Sequence, residues 1–112
     1  MGKKNKNFFK IEMLLLKIIS NGDCYGYQIV QTLNKITNGT IQIAEGTMYP
    51  ILYRLLDKGY ISDDKQLVGK RQTRIYYHIL PEGIEYMNKL YEDYSTVANS
   101  ITSIMEDTYK KD

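Results

Sequence analysis

The stretch Glu45-Gly46-Thr47-Met48-Tyr49-Pro50-Ile51-Leu52-Tyr53-Arg54-Leu55-Leu56-Asp57-Lys58-Gly59-Tyr60 decides the fold, together with the three segments after it: Ile61 to Leu67, Val68-Gly69-Lys70-Arg71-Gln72, and Thr73 to Ile79. Met48, Ile51, Leu52, Leu55 and Leu56 recur at helical spacing, so one face of a helix packs inward. Thr47, Tyr49, Pro50, Tyr53 and Arg54 take the other face. Pro50 is expected in the first turn or so, where a missing N–H costs least. Gly59 stops the helix, because glycine enters the left-handed conformation after a helix end without strain. Two alternating segments then flank Gly69, the natural turn residue of a hairpin. Lys70, Arg71 and Arg74 lie on or beside its tip. A short helix followed by a basic hairpin is the winged form of helix-turn-helix.

Working outward, Phe8 to Ser20 reads as a first helix, apolar on more than one face and therefore buried on two sides. Asn21-Gly22-Asp23 ends it, with Asp23 placed to cap a second helix over Tyr25 to Ile36. Thr40 to Ile43 alternates and is expected to be a short strand at the base of the wing. On the second strand of the hairpin, Ile75, Tyr77 and Ile79 share one face, and Arg74, Tyr76 and His78 the other. From Pro81 the chain reads as helix almost to its end. Ile84, Met87, Tyr91, Tyr94, Ala98, Ile101 and Met105 are separated alternately by three and four residues, a heptad seam. A lone helix would leave that seam in water, so pairing with a second copy is expected, with the first helix contributing through Leu15. The other solution is a helix folded back over its own domain.

The class expected is mainly α with a small β-hairpin wing. Residues 1–80 form a winged helix-turn-helix DNA-binding domain, and 81–112 a C-terminal dimerisation helix. At 112 residues and 43% hydrophobic composition, the chain can build one small core. Net charge is +2, but residues 1–80 carry 12 Lys and Arg against 6 Asp and Glu, and residues 81–112 carry 3 against 7. A basic body with an acidic tail points the body at a polyanion. Of the functions excluded, catalysis lacks a nucleophile–base pair and a phosphate-cradling loop, and metal binding lacks ligand spacing. No cofactor is expected. No apolar run is long enough to span a membrane, and the single cysteine, Cys24, fits a reducing cytoplasm.

The DNA-contacting set expected from these patterns is Tyr25, Gly46, Thr47, Tyr49, Pro50, Arg54, Lys70, Arg71 and Arg74. Gly46 allows close backbone approach, and free N–H groups at Cys24-Tyr25-Gly26 offer themselves to a phosphate. Arg54 serves either as a phosphate clamp or as a partner of Asp57 or Glu45. Tyr53 is as well suited to covering the core as to touching DNA. The expected dimer interface is Leu15, Met87, Tyr91, Tyr94, Ala98, Ile101 and Met105. The competing reading is a winged-helix adaptor that binds protein; the basic wing tip favours DNA.

Tyr25-Gly26-Tyr27-Gln28-Ile29, the run Glu45 to Leu55, Lys58-Gly59-Tyr60-Ile61, Gly69-Lys70-Arg71, Tyr76-Tyr77 and Glu82-Gly83 together resemble the PadR family of bacterial transcriptional regulators. The resemblance runs from about Leu14 to about Leu90, in the compact subgroup with one terminal helix. It implies a dimeric repressor on an inverted-repeat operator in double-stranded DNA, and strengthens Tyr49 as a contact. It also implies a small aromatic or cationic amphipathic effector near the dimer interface, for which Phe8, Leu15, Tyr91 and Tyr94 are the candidate residues. Three departures from the family pattern stand out: Leu80 replaces the threonine that usually precedes the last helix, Gln72-Thr73 stands where the wing is often more basic, and there is no tryptophan to stack on a ligand.

Overall fold

The computed structural model describes residues 9–108. In chain order the elements are α1 (Ile11–Ser20), β1 (Cys24–Tyr25), α2 (Gly26–Ile36), α3 (Glu45–Asp57), β2 (Ile61–Val68), β3 (Gln72–Ile79) and α4 (Pro81–Met105). The strands form one antiparallel sheet in the order β1-β3-β2. The winged-helix class expected from the sequence is the class observed.

Leu15, Leu16 and Ile19 of α1, Ile29 of α2, Met48, Leu52 and Leu55 of α3 and Ile61 of β2 are fully buried and meet in a single cluster. Each such side chain contributes roughly 1.5–3 kcal/mol on burial. The greasy first helix is two-sided as expected: Leu15 and Leu16 face the core, while Leu14 and Ile18 are half-buried beside it. It begins at Ile11 rather than Phe8, and Phe8 lies outside the described residues. Leu15 therefore belongs to the protomer's own core and has no surface to offer a second chain.

Gly59 behaves as its position demands. Its φ is 77°, the Tyr60 N–H donates to the Leu55 carbonyl at 3.0 Å, and the Gly59 N–H donates to Leu56 at 3.1 Å. These are the paired bonds of a Schellman end. Gly69, φ 71°, turns the hairpin, whose register runs from Ile61 opposite Ile79 to Val68 opposite Gln72. Pro50 falls one turn later than expected, with α3 starting at Glu45. It cannot donate to the Gly46 carbonyl, and both residues are exposed, so solvent can satisfy that oxygen.

Two further expectations fail. Thr40 to Ile43 is not a strand. The Thr37 hydroxyl donates to the Leu33 carbonyl at 2.7 Å and accepts the Ile41 N–H at 2.9 Å, while Asn38 and Gly39 turn with positive φ. That turn takes the backbone N–H a ladder would need, and sends Ile43 into the core. The third strand is instead β1, where Cys24 pairs with Tyr77 and Tyr25 with Tyr76. Consequently Asp23 does not cap α2; it bonds His78 Nδ1 at 2.8 Å, and Gln28 Oε1 accepts the Tyr25 N–H at 3.1 Å. The cap is made from inside the helix, so this N–H is not free for a phosphate.

Helix α4 starts at Pro81 and divides into two parts. Its first turns lie on the core through Tyr86 and Met87. Residues 99–108 are exposed throughout, with Ile104 at 72% and Met105 at 76%. The molecule is long for its size, 72 × 32 × 28 Å. The fold-back over its own domain is therefore seen for the first half, while the second half stands exposed.

Candidate nucleic-acid interface

Helix α3 presents Gly46, Thr47, Pro50 and Tyr53 to solvent on one side and buries Met48, Ile51, Leu52 and Leu55 on the other. A Cβ built on Gly46 meets nothing within 4 Å, so this turn is open to a close approach. Tyr49 is only half exposed. Its hydroxyl lies so near Gly26 that a Cβ there would collide with it, which explains a glycine as the first residue of α2. Tyr53, left undecided by the sequence, is the more available ring at 60% exposure and sits 6.2 Å from Tyr49.

At the wing, Lys70 and Arg71 are exposed at the tip. Arg74 stands lower on β3, its guanidinium 4.2 Å above the Tyr25 ring, and Tyr25 in turn meets Tyr76 edge-on at 5.4 Å. Cation–π contact holds Arg74 extended beside the amino end of α2. The structure thus brings Tyr25, Arg74 and Tyr49 together between wing and helix, with Lys70 and Arg71 further out.

Arg54 is placed differently. Its Nη2 lies 3.3 Å from Glu12 Oε2, while the Tyr86 hydroxyl donates to Glu12 Oε1 at 2.7 Å. The buried carboxylate of α1 therefore ties α3 to α4. None of the partners expected for Arg54 was Glu12, because a glutamate in the first turn of a helix usually faces water. Glu12 holds one end of the Arg54 guanidinium, while the side chain as a whole stays 56% exposed on α3. Cys24 is buried, and burial followed by the charge of Asp23 pushes its thiol up to about 11, which leaves it protonated and unreactive at neutral pH.

Two phenols are held neutral well above their ordinary value. Burial, then the bond and charge of Glu12, push Tyr86 up to about 12. Burial, then Tyr49, Tyr53 and Asp63, push Tyr77 up to about 12. In the unfolded chain both titrate near 10. The unfolded state loses these protons first, so the stabilisation is complete below pH 10 and is lost as pH rises through 12. Urea midpoints measured from pH 9 to 12 should fall across that window, and Tyr86→Phe should make the fall shallower. An identical slope in the variant would remove Tyr86 as a contributor.

Among the described residues no group of metal-binding side chains occurs, and no helix is long and apolar enough to cross a membrane. The model of the PadR-like transcriptional regulator family matches residues 15–89, two thirds of the chain. The chain belongs to the PadR family of transcriptional regulators. An uncharacterized protein X of Lysinibacillus sphaericus is 32% identical over 96 residues, covering 86% of this chain and 88% of that one. The crystal structure of smu.1704 from Streptococcus mutans UA159 superposes with a TM-score of 0.75 at 36% identity, over 91% of this chain and 92% of that one. Bacillus subtilis PadR in complex with operator DNA superposes with a TM-score of 0.66 at 19% identity, over 70% of this chain and 45% of that one. At that identity the likeness to the operator complex is one of fold, and this chain spans less than half of it. The PadR winged helix accounts for the element order, the α3–wing juxtaposition and the long last helix.

Proposed function

We propose that this PadR-family regulator is a homodimeric repressor that binds an inverted-repeat operator in double-stranded DNA and is released by a small aromatic or amphipathic effector. The observation that carries this reading is the pairing, on one molecule, of an exposed α3 face beside a basic wing tip with an apolar stripe on the projecting half of α4. Residues 1–80 are assigned to DNA binding and 81–112 to dimerisation. The operator complex of Bacillus subtilis PadR supports the choice of partner through the shared fold.

In this reading Gly46, Thr47, Tyr49 and Pro50 enter a major groove, with Tyr25 at its edge. Lys70, Arg71 and Arg74 contact the sugar-phosphate backbone. Tyr91, Tyr94, Ala98, Ile101 and Met105 of α4 face the partner helix, and Met87, packed against the protomer's own core, lies at the near edge of that seam. Of the effector residues expected, Leu15 is fully buried and Phe8 lies outside the described residues; Tyr91, stacked on Tyr94 at 6.3 Å, remains, and the effector occupies the groove of about 440 Å³ between α1 and α4 that it lines with Met13, Leu14, Lys17, Met87 and Asn88. A repressor of this kind works in the cytoplasm and needs no cofactor.

Selection of bound duplexes from a random pool tests the assignment. A two-fold-symmetric consensus is the expected result. No enrichment, with elution from heparin at very low salt, would favour the protein-binding adaptor. Lys70→Ala should weaken binding to all duplexes alike and lower the slope of log K against log salt by about 1, since one phosphate contact is lost. A change confined to one base position would mean that Lys70 reads sequence instead.

A further inference from the structure

Between α3 and the wing lies a cleft of about 430 Å³, of whose lining the DNA reading uses only Tyr25, Tyr49 and Arg74. Its walls carry Tyr27 of α2, Tyr49 and Tyr53 of α3, Tyr77 of β3 and the carboxylate of Asp63 of β2. Tyr77 is buried and forms the floor. Tyr27 and Tyr53 are 54% and 60% exposed, so core packing does not use up their rings. With Tyr25 of β1, five phenols from four elements surround one hollow, an arrangement that aliphatic side chains would have filled more simply, had filling been all that was needed.

Asp63 is the second observation. It stands directly opposite Tyr77 in the ladder, and so shares the face that looks toward α3. It is exposed, and makes no ion pair or hydrogen bond among the described residues. Its neighbours are engaged: Asp64 accepts from Gln66 at 3.2 Å and Asp23 bonds His78. A lone carboxylate on a face meant for phosphates is unfavourable without a compensating cation. Arg74 also lines the cleft, but its guanidinium is spent on the Tyr25 ring, 4.2 Å away, and is not paired with Asp63.

We infer that this cleft is a binding site for a small organic monocation of the alkylated ammonium type, held by the ring faces of Tyr27, Tyr49 and Tyr53 and by the carboxylate of Asp63. Ring quadrupoles attract a soft, weakly hydrated cation, and one carboxylate supplies the single countercharge. An anion would meet Asp63, a divalent metal would find one ligand, and a neutral compound would leave the carboxylate unused. The site is separate from the α1–α4 groove. Where α3 reads DNA, as proposed above, occupancy and operator binding exclude one another.

Choline is the probe, and its uncharged isostere 3,3-dimethylbutan-1-ol the control, in calorimetric titrations of the DNA-free protein. Saturable choline binding is expected, with the isostere weaker by about tenfold or more. Asp63→Asn should weaken choline by a similar factor, and Tyr53→Leu likewise, with thermal melts unchanged. Equal binding of the isostere, unchanged binding in Asp63→Asn, or no saturable heat overturns the site. Altered base selection by Asp63→Asn with no choline heat would make Asp63 a reader of bases and also overturns it. Choline should weaken operator binding by wild type but not by Asp63→Asn; an equal effect on both overturns the exclusion. Because the titration contains no DNA, its failure leaves the repressor reading intact. Choline binding by a protein that ignores every duplex would keep the site and end that reading.

Discussion

Gly83→Ala should destabilise the protein by about 2–4 kcal/mol, against the usual direction for such a change in a helix. Gly83 is in the first turn of α4 and is buried. A Cβ there would collide with the Tyr60 carbonyl oxygen, lie 3.0 Å from the Tyr60 carbonyl carbon and 3.1 Å from Ile79 Cγ1. The oxygen cannot retreat freely, since it accepts the Leu80 N–H at 3.0 Å, and the Tyr60 ring stacks on Tyr86 with centroids 4.4 Å apart. Moving it disturbs the hydrogen bond that starts α4, the stacked pair and Ile61 beside it. Ordinary helix propensity favours alanine over glycine by about 1 kcal/mol, and overpacking against backbone costs about 1–3 before the lost hydrogen bond is added. The sign is therefore the test. Gly46→Ala is the matched control: with open space around the Cβ, it should leave stability unchanged or raise it by up to about 1 kcal/mol, while weakening operator binding if the backbone there approaches DNA. Urea denaturation of both variants reads the contrast. Similar gains in the two would show that the Tyr60–Gly83 approach costs nothing to open.

Gly83 also shows what the sequence made legible. The dipeptide Glu82-Gly83 stood out by resemblance, but nothing in a linear pattern says that a carbonyl twenty-three residues earlier sits on that Cα. Features with local causes were readable: the apolar period of α3, the end at Gly59, the turn at Gly69, the start at Pro81. Features set by distant partners were not. The two-residue strand Cys24–Tyr25 exists only because β3 passes beside it, whereas Thr40 to Ile43 has the right alternation and no strand to join. Leu14 and Leu15 are adjacent, and periodicity alone gave no means of deciding which would face inward. Glu12, Arg54 and Tyr86 meet across three helices, and a single charged residue in a first turn carries no sign of such company. Of the proposed reading face, the wing cations and the α3 positions were accessible from type and spacing. The tyrosine cleft was not, because Tyr27, Tyr53, Tyr77 and Asp63 come together only in space.

The same distinction separates the two halves of α4 and sets the second large effect. Ala98→Glu should convert the proposed dimer to monomers at micromolar concentration and reduce operator affinity by about 10²–10⁴, the advantage that two linked reading heads hold over one. Ala98 lies near the middle of the heptad seam, between the stretch that rests on α1 and the exposed stretch with Ile101, Ile104 and Met105. In a symmetric pair each substitution would occur twice and place carboxylates in the seam, where each buried ion costs several kcal/mol without a partner. The domain itself should survive. Ala98 is outside the buried core cluster, and helix there tolerates glutamate well. Circular dichroism and melting of the dilute protein should therefore stay near wild type while sedimentation reports half the mass. Asn99→Glu, one residue on and off the seam, should leave assembly intact. Should Ala98→Glu sediment as a dimer, the heptad positions are not the interface, and the exposed end of α4 must be covered by something other than its twin.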